Sequence, residues 1–395
     1  MNPSGSAWRL NLRLVGLEFQ KLFMLKRLGL TVFILLCGGL WLYPFQVLYP
    51  NSQFPDYETT IAAGMKAKYG TLIDDREWEA FKQDRVKKVA EADAYIREDP
   101  LFASANLDSY ERYVRRAQMP NGGTQPLDAH IRAGTKKELF AKLHAEEEWI
   151  KRYEDDYRWT VGPGTIWMNE AEKQRLQEIE ARDGVSVLPQ RQIYHYASSG
   201  ILYRLAMTAM LTTVLLVMHI HIGDRRAGLD ELQRTSRMGK NRLLWIKTTA
   251  ALLTGTLVSA VLLVILLIAY RFSEAWSLMG ADISGRFGGF FMYDLTFLQY
   301  ILLTYSAVFG LSWIAALLTA FYSAIAPNMQ VLVMAIILTL FIFFKEDWIL
   351  TRLLNMLLYS GISLLEPTLT VAGLLLLGVF LISVAGKWRT WRLHR

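Results

Sequence analysis

The sequence predicts an all-α membrane protein. It has six transmembrane helices, an amphipathic amino-terminal elbow helix, a re-entrant helical segment before the last span, and a helical extracellular insert between spans one and two. Three observations lead there. The 395 residues combine 52% hydrophobic with 20% charged residues at a positive mean hydropathy of +0.20, so apolar and charged residues lie in separate blocks, unlike a soluble globule or a disordered chain. Six blocks are nearly free of charge and of about the length a hydrocarbon core requires, roughly 17–25 residues. Lys and Arg crowd the block ends on one side only.

Residues 1–27 form a cytoplasmic elbow. Within them, Trp8, Leu12, Val15, Phe19, Leu22 and Phe23 recur at helical spacing while Arg9, Arg13, Lys21 and Lys26 supply a wet face. A helix of this pattern lies in the plane of the inner leaflet. The first span, Leu28–Leu48 within residues 28–50, follows a charged stretch and has no small-x-small cleavage site, so it reads as a retained anchor. Cys37 is the only cysteine, which excludes an intrachain disulfide and Cys-x-x-Cys chemistry.

Residues 51–198 are long enough for a small domain, and their pattern is helical. Asp75–Glu98, stopped by Pro100, sets Trp78, Phe81, Val86, Val89 and Ile96 near one stripe. Thr135–Arg158 opens on a Thr135-x-x-Glu138 capping box and carries Leu139, Leu143, Ile150, Tyr153 and Tyr157; Asn169–Arg182 is a shorter third helix. The stripes are narrow, which predicts a thin bundle or hairpin with turns at Pro120–Gly123 and Gly162–Gly164.

Residues 199–395 hold the other five spans: Leu205–Ile222, Ile246–Tyr270, Phe297–Ala326, Met329–Phe344 and Thr368–Gly386. Residues 345–367 are apolar but broken by Arg352, Asn355, Gly361 and Pro367. Backbone at membrane depth must be satisfied internally or shielded by protein, so a re-entrant hairpin fits better than a seventh crossing. Orientation follows from charge. Residues 7–27, 223–247 and 387–395 carry 16 basic residues against only Glu18, Asp224, Asp230 and Glu231, whereas the insert has 26 acidic and 22 basic residues, net −4. Both termini are therefore expected in the cytoplasm.

Several chemistries are excluded. Gly239-Lys240 has Arg234 five positions before the glycine and Asn241 after the lysine, so no phosphate-binding loop is present and ATP is not expected to bind this chain. His219 and His221 point to different helix faces, and His144 is followed by Glu146–Glu148 with no second histidine, so no zinc helix is predicted. No set of acid, base and nucleophile converges, and the chain is not expected to be an enzyme. The basic segments flank spans, where lipid headgroups account for them without nucleic acid. Within the spans, Gln299, Thr304, Ser306, Ser312 and Thr319 either line a path or satisfy backbone and pack between helices.

The cytoplasmic loop 223–247 is the most informative stretch. Leu229 and Leu232 share one face of a predicted short helix, Asp230 and Glu231 lie in its first turn, and Gly239 can end the segment. The order Asp224, Gly228, Leu229, Leu232, Thr235-Ser236, Gly239 and Lys247 resembles the loop after the second span in ABC-2-type transporter permeases. The elbow helix, six spans and re-entrant segment are similar to that family, while Arg234 and Met238-Gly239 depart from its loop pattern.

The resemblance implies the membrane subunit of a bacterial ABC exporter, multi-pass in the plasma membrane. Its partners would be two ATP-binding subunits, which hold ATP and Mg while this chain holds no cofactor, and a second permease as homodimer or heterodimer. Asp224, Arg225, Arg226, Gly228, Leu229, Asp230, Glu231, Leu232, Thr235 and Arg237 would form the coupling helix against the ATPase, braced by elbow residues Trp8, Arg9, Leu12, Arg13, Phe19 and Lys21. The cargo would be amphiphilic: an antimicrobial peptide, a lipid or a drug. The alternative is a membrane sensor or immunity protein whose extracellular domain binds a ligand and signals through a partner.

Overall fold

The computed structural model describes residues 3–24, 29, 31–32, 57–119, 123–156, 170–181, 184–189, 196, 201–229, 240–283, 293–345, 350, 353–354 and 365–391. The chain is mostly helical, consistent with an all-α membrane protein. Among the described residues, four helical stretches are long and apolar enough to cross a membrane: Ile201–Arg226, Arg242–Arg271, Phe297–Ile325 and Thr368–Lys387. A further apolar helix, Met329–Phe344, has 16 residues; at about 1.5 Å per residue it falls short of a hydrocarbon core of about 30 Å. Nearly all of the predicted first span, and most of the predicted re-entrant segment, lie outside the described residues.

The chain forms two compact units. One comprises Met1–Leu48, Ile193–Phe272 and Gln299–Arg395; the other comprises Tyr49–Gln192 and Ser273–Leu298. The second therefore includes residues 273–298, nearly all of which the sequence reading places between the spans Ile246–Tyr270 and Phe297–Ala326.

In the second unit, α2 (Tyr57–Tyr69), α3 (Asp75–Glu98), α4 (Pro100–Ser104), α5 (Tyr110–Ala117), α6 (Gln125–Ala133), α7 (Lys137–Asp156) and α8 (Glu170–Glu180) follow in order. Helix α3 spans the predicted residues and starts on a reciprocal cap, the Asp74 carboxylate accepting from Glu77 N–H and the Glu77 carboxylate from Asp74 N–H. The predicted Thr135 capping box is displaced, because α7 begins at Lys137. The core joins Ala92, Ile96, Phe102, Leu107, Tyr110, Leu127, Ile131, Phe140 and Leu143. Five helices contribute to it, so it is broader than the narrow stripes imply. Val86 is 66% exposed despite its place in the predicted stripe, while Trp149, outside it, is buried.

Helix α2 went unpredicted. It packs on α7 and on a short 3-10 turn at Glu274–Leu278, where Lys66 donates to the Ser277 carbonyl at 2.6 Å. A two-residue antiparallel ribbon, β1 (Leu72–Ile73) with β2 (Val185–Ser186), was also missed. It is approached through Gly184, whose φ of +117° an L side chain rarely adopts.

In the first unit, α1 (Pro3–Leu22), α9 (Ile201–Val217), α10 (Ile222–Arg226), α11 (Lys240–Arg271), α12 (Phe297–Ile325), α13 (Met329–Phe344) and α14 (Leu365–Trp391) follow. Small residues let α12 approach α11 on one side and α14 on the other. A Cβ at Gly255 would stand 3.1 Å from the Ser312 carbonyl oxygen, one at Gly310 2.8 Å from Val371 Cγ1, and one at Gly378 2.9 Å from Leu317 Cδ1. In lipid, where apolar burial gains little, such close contact is a main source of helix association. The opposite face of α11 is an exposed stripe of Leu253, Leu257, Val261, Val264 and Ile268.

Polar residues of the spans are used in packing. Ser259 donates to Ser312 at 2.8 Å, Tyr305 to the Ser259 carbonyl at 2.8 Å, and Trp313 to the Thr256 hydroxyl at 2.9 Å. Thr304 donates to the Tyr300 carbonyl at 2.7 Å, and Ser306 to the Leu303 carbonyl at 2.6 Å. Of the two sequence readings, these contacts favour backbone satisfaction and packing for Thr304, Ser306 and Ser312.

Candidate functional site

The sequence places Lys247 near the start of α11, just before a long apolar run, where an uncompensated ammonium would cost several kcal/mol. The structure buries it to 1% exposure and surrounds it with acceptors from three other elements. Its ammonium bonds the Asp224 carboxylate on α10, donates to the Ile220 carbonyl at 2.8 Å, and lies 3.7 Å from the Glu18 carboxylate on α1. Ile220 belongs to the turn that ends α9, so the lysine also caps the negative pole of that helix.

Each carboxylate is further committed. Glu18, itself 8% exposed, accepts from Lys21 at 2.7 Å. Burial opposes the charge on Lys21, yet this hydrogen bond, with Glu18 and Asp224 acting at longer range, holds its pKa above the ordinary lysine value. Two helical turns before, Asn11 accepts from Arg242 Nε at 2.7 Å, a second link from α1 to α11. Around these polar contacts Leu22 is buried with Val217, Leu244, Ala250 and Leu317, and Val15, Phe19 and Phe23 pack against them. The elbow thus buries a mixed stripe in which Asn11 and Glu18 lie among the apolar residues.

The loop is pinned on its other side by α12. Ser323 Oγ accepts the backbone N–H groups of His221 at 3.1 Å and Ile222 at 3.2 Å, while the Ser323 carbonyl accepts from Arg225 at 2.5 Å. The turn 220–225 is therefore held by α11 through Lys247 and by α12 through Ser323. It is a junction of α1, α9, α10, α11 and α12 built on charged and backbone groups, in a setting where each lost partner leaves a buried charge or dipole.

The structure divides the predicted contact residues. Asp224 and Arg225 turn inward, to Lys247 and Ser323. Arg226, Gly228 and Leu229 are exposed, Leu229 at 38%. Helix α10 stops at Arg226, and Gly228 takes φ of +65°, so Asp224 and Leu229 do not share one continuous helix. Asp230, Glu231, Leu232, Thr235 and Arg237 lie outside the described residues, as do the side chains of Trp8 and Arg9. On the elbow, Phe19 packs inward, Lys21 pairs with Glu18, and Arg13 is exposed; Leu12, on the apolar face expected to meet the inner leaflet, is 52% exposed.

Sequence reasoning missed Glu18, Asn11, Arg242 and Ser323 as site residues. One signal was available: Glu18 and Asp224 are two of only four acids among 16 basic residues in the membrane-flanking segments. An acid isolated in such a segment marks a partner for a cation.

Among the described residues no group of three or more His, Cys, Asp or Glu side chains could hold a metal ion. Compared with known proteins, the chain matches no family model, no curated protein and no solved structure.

Proposed function

We propose that this chain is the membrane subunit of an ATP-driven exporter of the ABC-2 type, moving an amphiphilic substrate across a bacterial plasma membrane with both termini in the cytoplasm. In this reading it is not itself an enzyme. Two separate ATP-binding subunits carry ATP and Mg, and a second permease, identical or sister, completes the assembly. The six-span count and the re-entrant segment belong to the same proposal.

The observation that carries it is the buried Lys247 joining the elbow helix to the loop between the second and third predicted spans. A docked ATPase closing on ATP pushes on the exposed Arg226–Leu229 turn. Separating Lys247 from Asp224 or Glu18 in a dry setting costs more than moving them together, so the push reaches α1, α11 and, through Ser323, α12 as one displacement. Two packings of the spans, inward and outward, are then biased by ATP in the partner.

The test is co-purification of the chain with an ATP-binding subunit encoded in a neighbouring reading frame, followed by ATP-dependent transport in vesicles. Arg226→Glu and Leu229→Asp are expected to weaken that complex or uncouple hydrolysis from transport while membrane insertion is retained. Labelling of residues 226–229 from outside intact cells would place the loop on the wrong side and overturn the proposal.

A further inference from the structure

Away from the junction, the second unit carries a surface concavity of about 510 Å³ between the turn after α4 and the outer face of α5, within the roughly 300–1,000 Å³ of small-ligand sites. Its polar lining comes from Ser104, Asn106, Arg112, Arg115 and Arg116, with Met119 at one edge. Three arginines, a serine and an asparagine line it, and no acidic residue does. The neighbouring acids, Asp108 and Glu111, pair with Arg112 at 2.7 Å and Arg115 at 3.6 Å without entering the lining.

The arrangement is built from local chemistry. Tyr110 and Leu107 anchor α5 and the turn in the core. This leaves Arg112, Arg115 and Arg116 at i, i+3 and i+4 on the other face of the helix. Arg116 donates to the Ala105 carbonyl at 2.6 Å, which fixes one guanidinium against the turn. Arg97 reaches the same turn through the Asp108 carbonyl at 3.3 Å and adds a fourth positive charge nearby. Arg115 and Arg116 in the last turn of α5 do favour its carbonyl end. That explains the residue types there, but not a concavity whose every charged lining group is cationic.

We propose that this concavity binds a phosphate group, the guanidinium forks supplying paired N–H donors and the Asn106 carboxamide a further one. The inference does not depend on the transport reading. The same chemistry serves a free phosphate dianion and a phosphodiester headgroup, and the experiment separates them.

Full-length protein in neutral detergent is titrated calorimetrically with inorganic phosphate in one arm and with glycerophosphoglycerol, a soluble phosphodiester headgroup, in the other. Binding in either arm, lost at least tenfold in Arg112→Gln/Arg115→Gln and kept in the control Lys82→Gln/Lys87→Gln on α3, supports the site and assigns its source. The log affinity is expected to fall with log salt, less steeply in the double variant. No binding in either arm, equal loss in the control, or undiminished binding by Arg112→Gln/Arg115→Gln overturns it. Unchanged thermal unfolding of both variants separates lost contacts from lost fold.

Discussion

Lys247 lies 3.7 Å from the Glu18 carboxylate, so an ammonium near the start of α11 is matched by an acid on the amino-terminal helix. The same ammonium bonds Asp224. One cation thus serves two carboxylates, and Lys21 balances Glu18 from the exposed side of α1. An elbow attached only by apolar contact could rotate or slide along the bilayer surface. A buried ion pair together with the Asn11–Arg242 bond sets one register.

Removing the shared cation is the most costly change. Lys247→Met leaves Asp224 without its bonded cation and Glu18 with Lys21 alone, and is expected to destabilise the first unit by about 3–5 kcal/mol. The triple variant Lys247→Met/Glu18→Gln/Asp224→Asn recovers a large part of that loss, because the orphaned charges are gone. Thermal unfolding in detergent reads both; a triple variant no better than the single one would refute the charge argument.

Adjacent arginines of the loop are expected to behave differently. Arg225→Ala removes a charged donor from the Ser323 carbonyl and should lower stability by about 1.5–3 kcal/mol. Arg226→Ala, at an exposed site, should stay within about 0.5 kcal/mol while weakening the proposed ATPase contact. Equal stability effects would show that the loop is not pinned to α12 as described.

Close packing of α11 on α12 is tested at glycines. Gly255→Val forces methyl groups against the Ser312 backbone and is expected to cost about 1–3 kcal/mol. Gly373 has nothing within 4 Å of its virtual Cβ, so Gly373→Val serves as a near-neutral control. Measured side by side, the two variants should differ in melting temperature; identical values would count against the α11–α12 contact.

In the second unit, Asp99 accepts from Leu101 N–H at 2.9 Å as the cap of α4 and stands 2.7 Å from His130 Nε2. Burial works to raise its pKa, but the bonds from His130, Leu101 and Tyr95 outweigh it and hold the carboxyl below the ordinary aspartate value. A depressed folded-state pKa stabilises above the unfolded value, about 3.9, and that contribution disappears as pH falls through the lower folded value. Stability against urea should therefore drop on the acid side in wild type, and drop less in Asp99→Asn. An identical acid profile in both would remove Asp99 from the explanation.

Much of the helical framework was legible along the chain. The range Asp75–Glu98 could be read because a cap, an apolar stripe and a following proline lie within one stretch. The four long apolar helices followed from length and hydropathy, also local properties. Helix α2 was not legible, because its apolar residues make no clean stripe and its partners include the Glu274–Leu278 turn, far away in sequence. The site was half legible: Asp224 and Lys247 stood out in the loop, whereas the direction Asp224 faces did not.

By itself, the sequence determined the long apolar segments and the longest helix of the second unit, because hydrogen bonding within a helix and hydropathy depend on neighbours a few residues away. Only the tertiary structure decided which charge answers which. Glu18, Asp224 and Lys247 meet because α1, α10 and α11 pack at one point. The stability of a buried ion pair depends on the distance between its atoms, which spacing along the chain does not report.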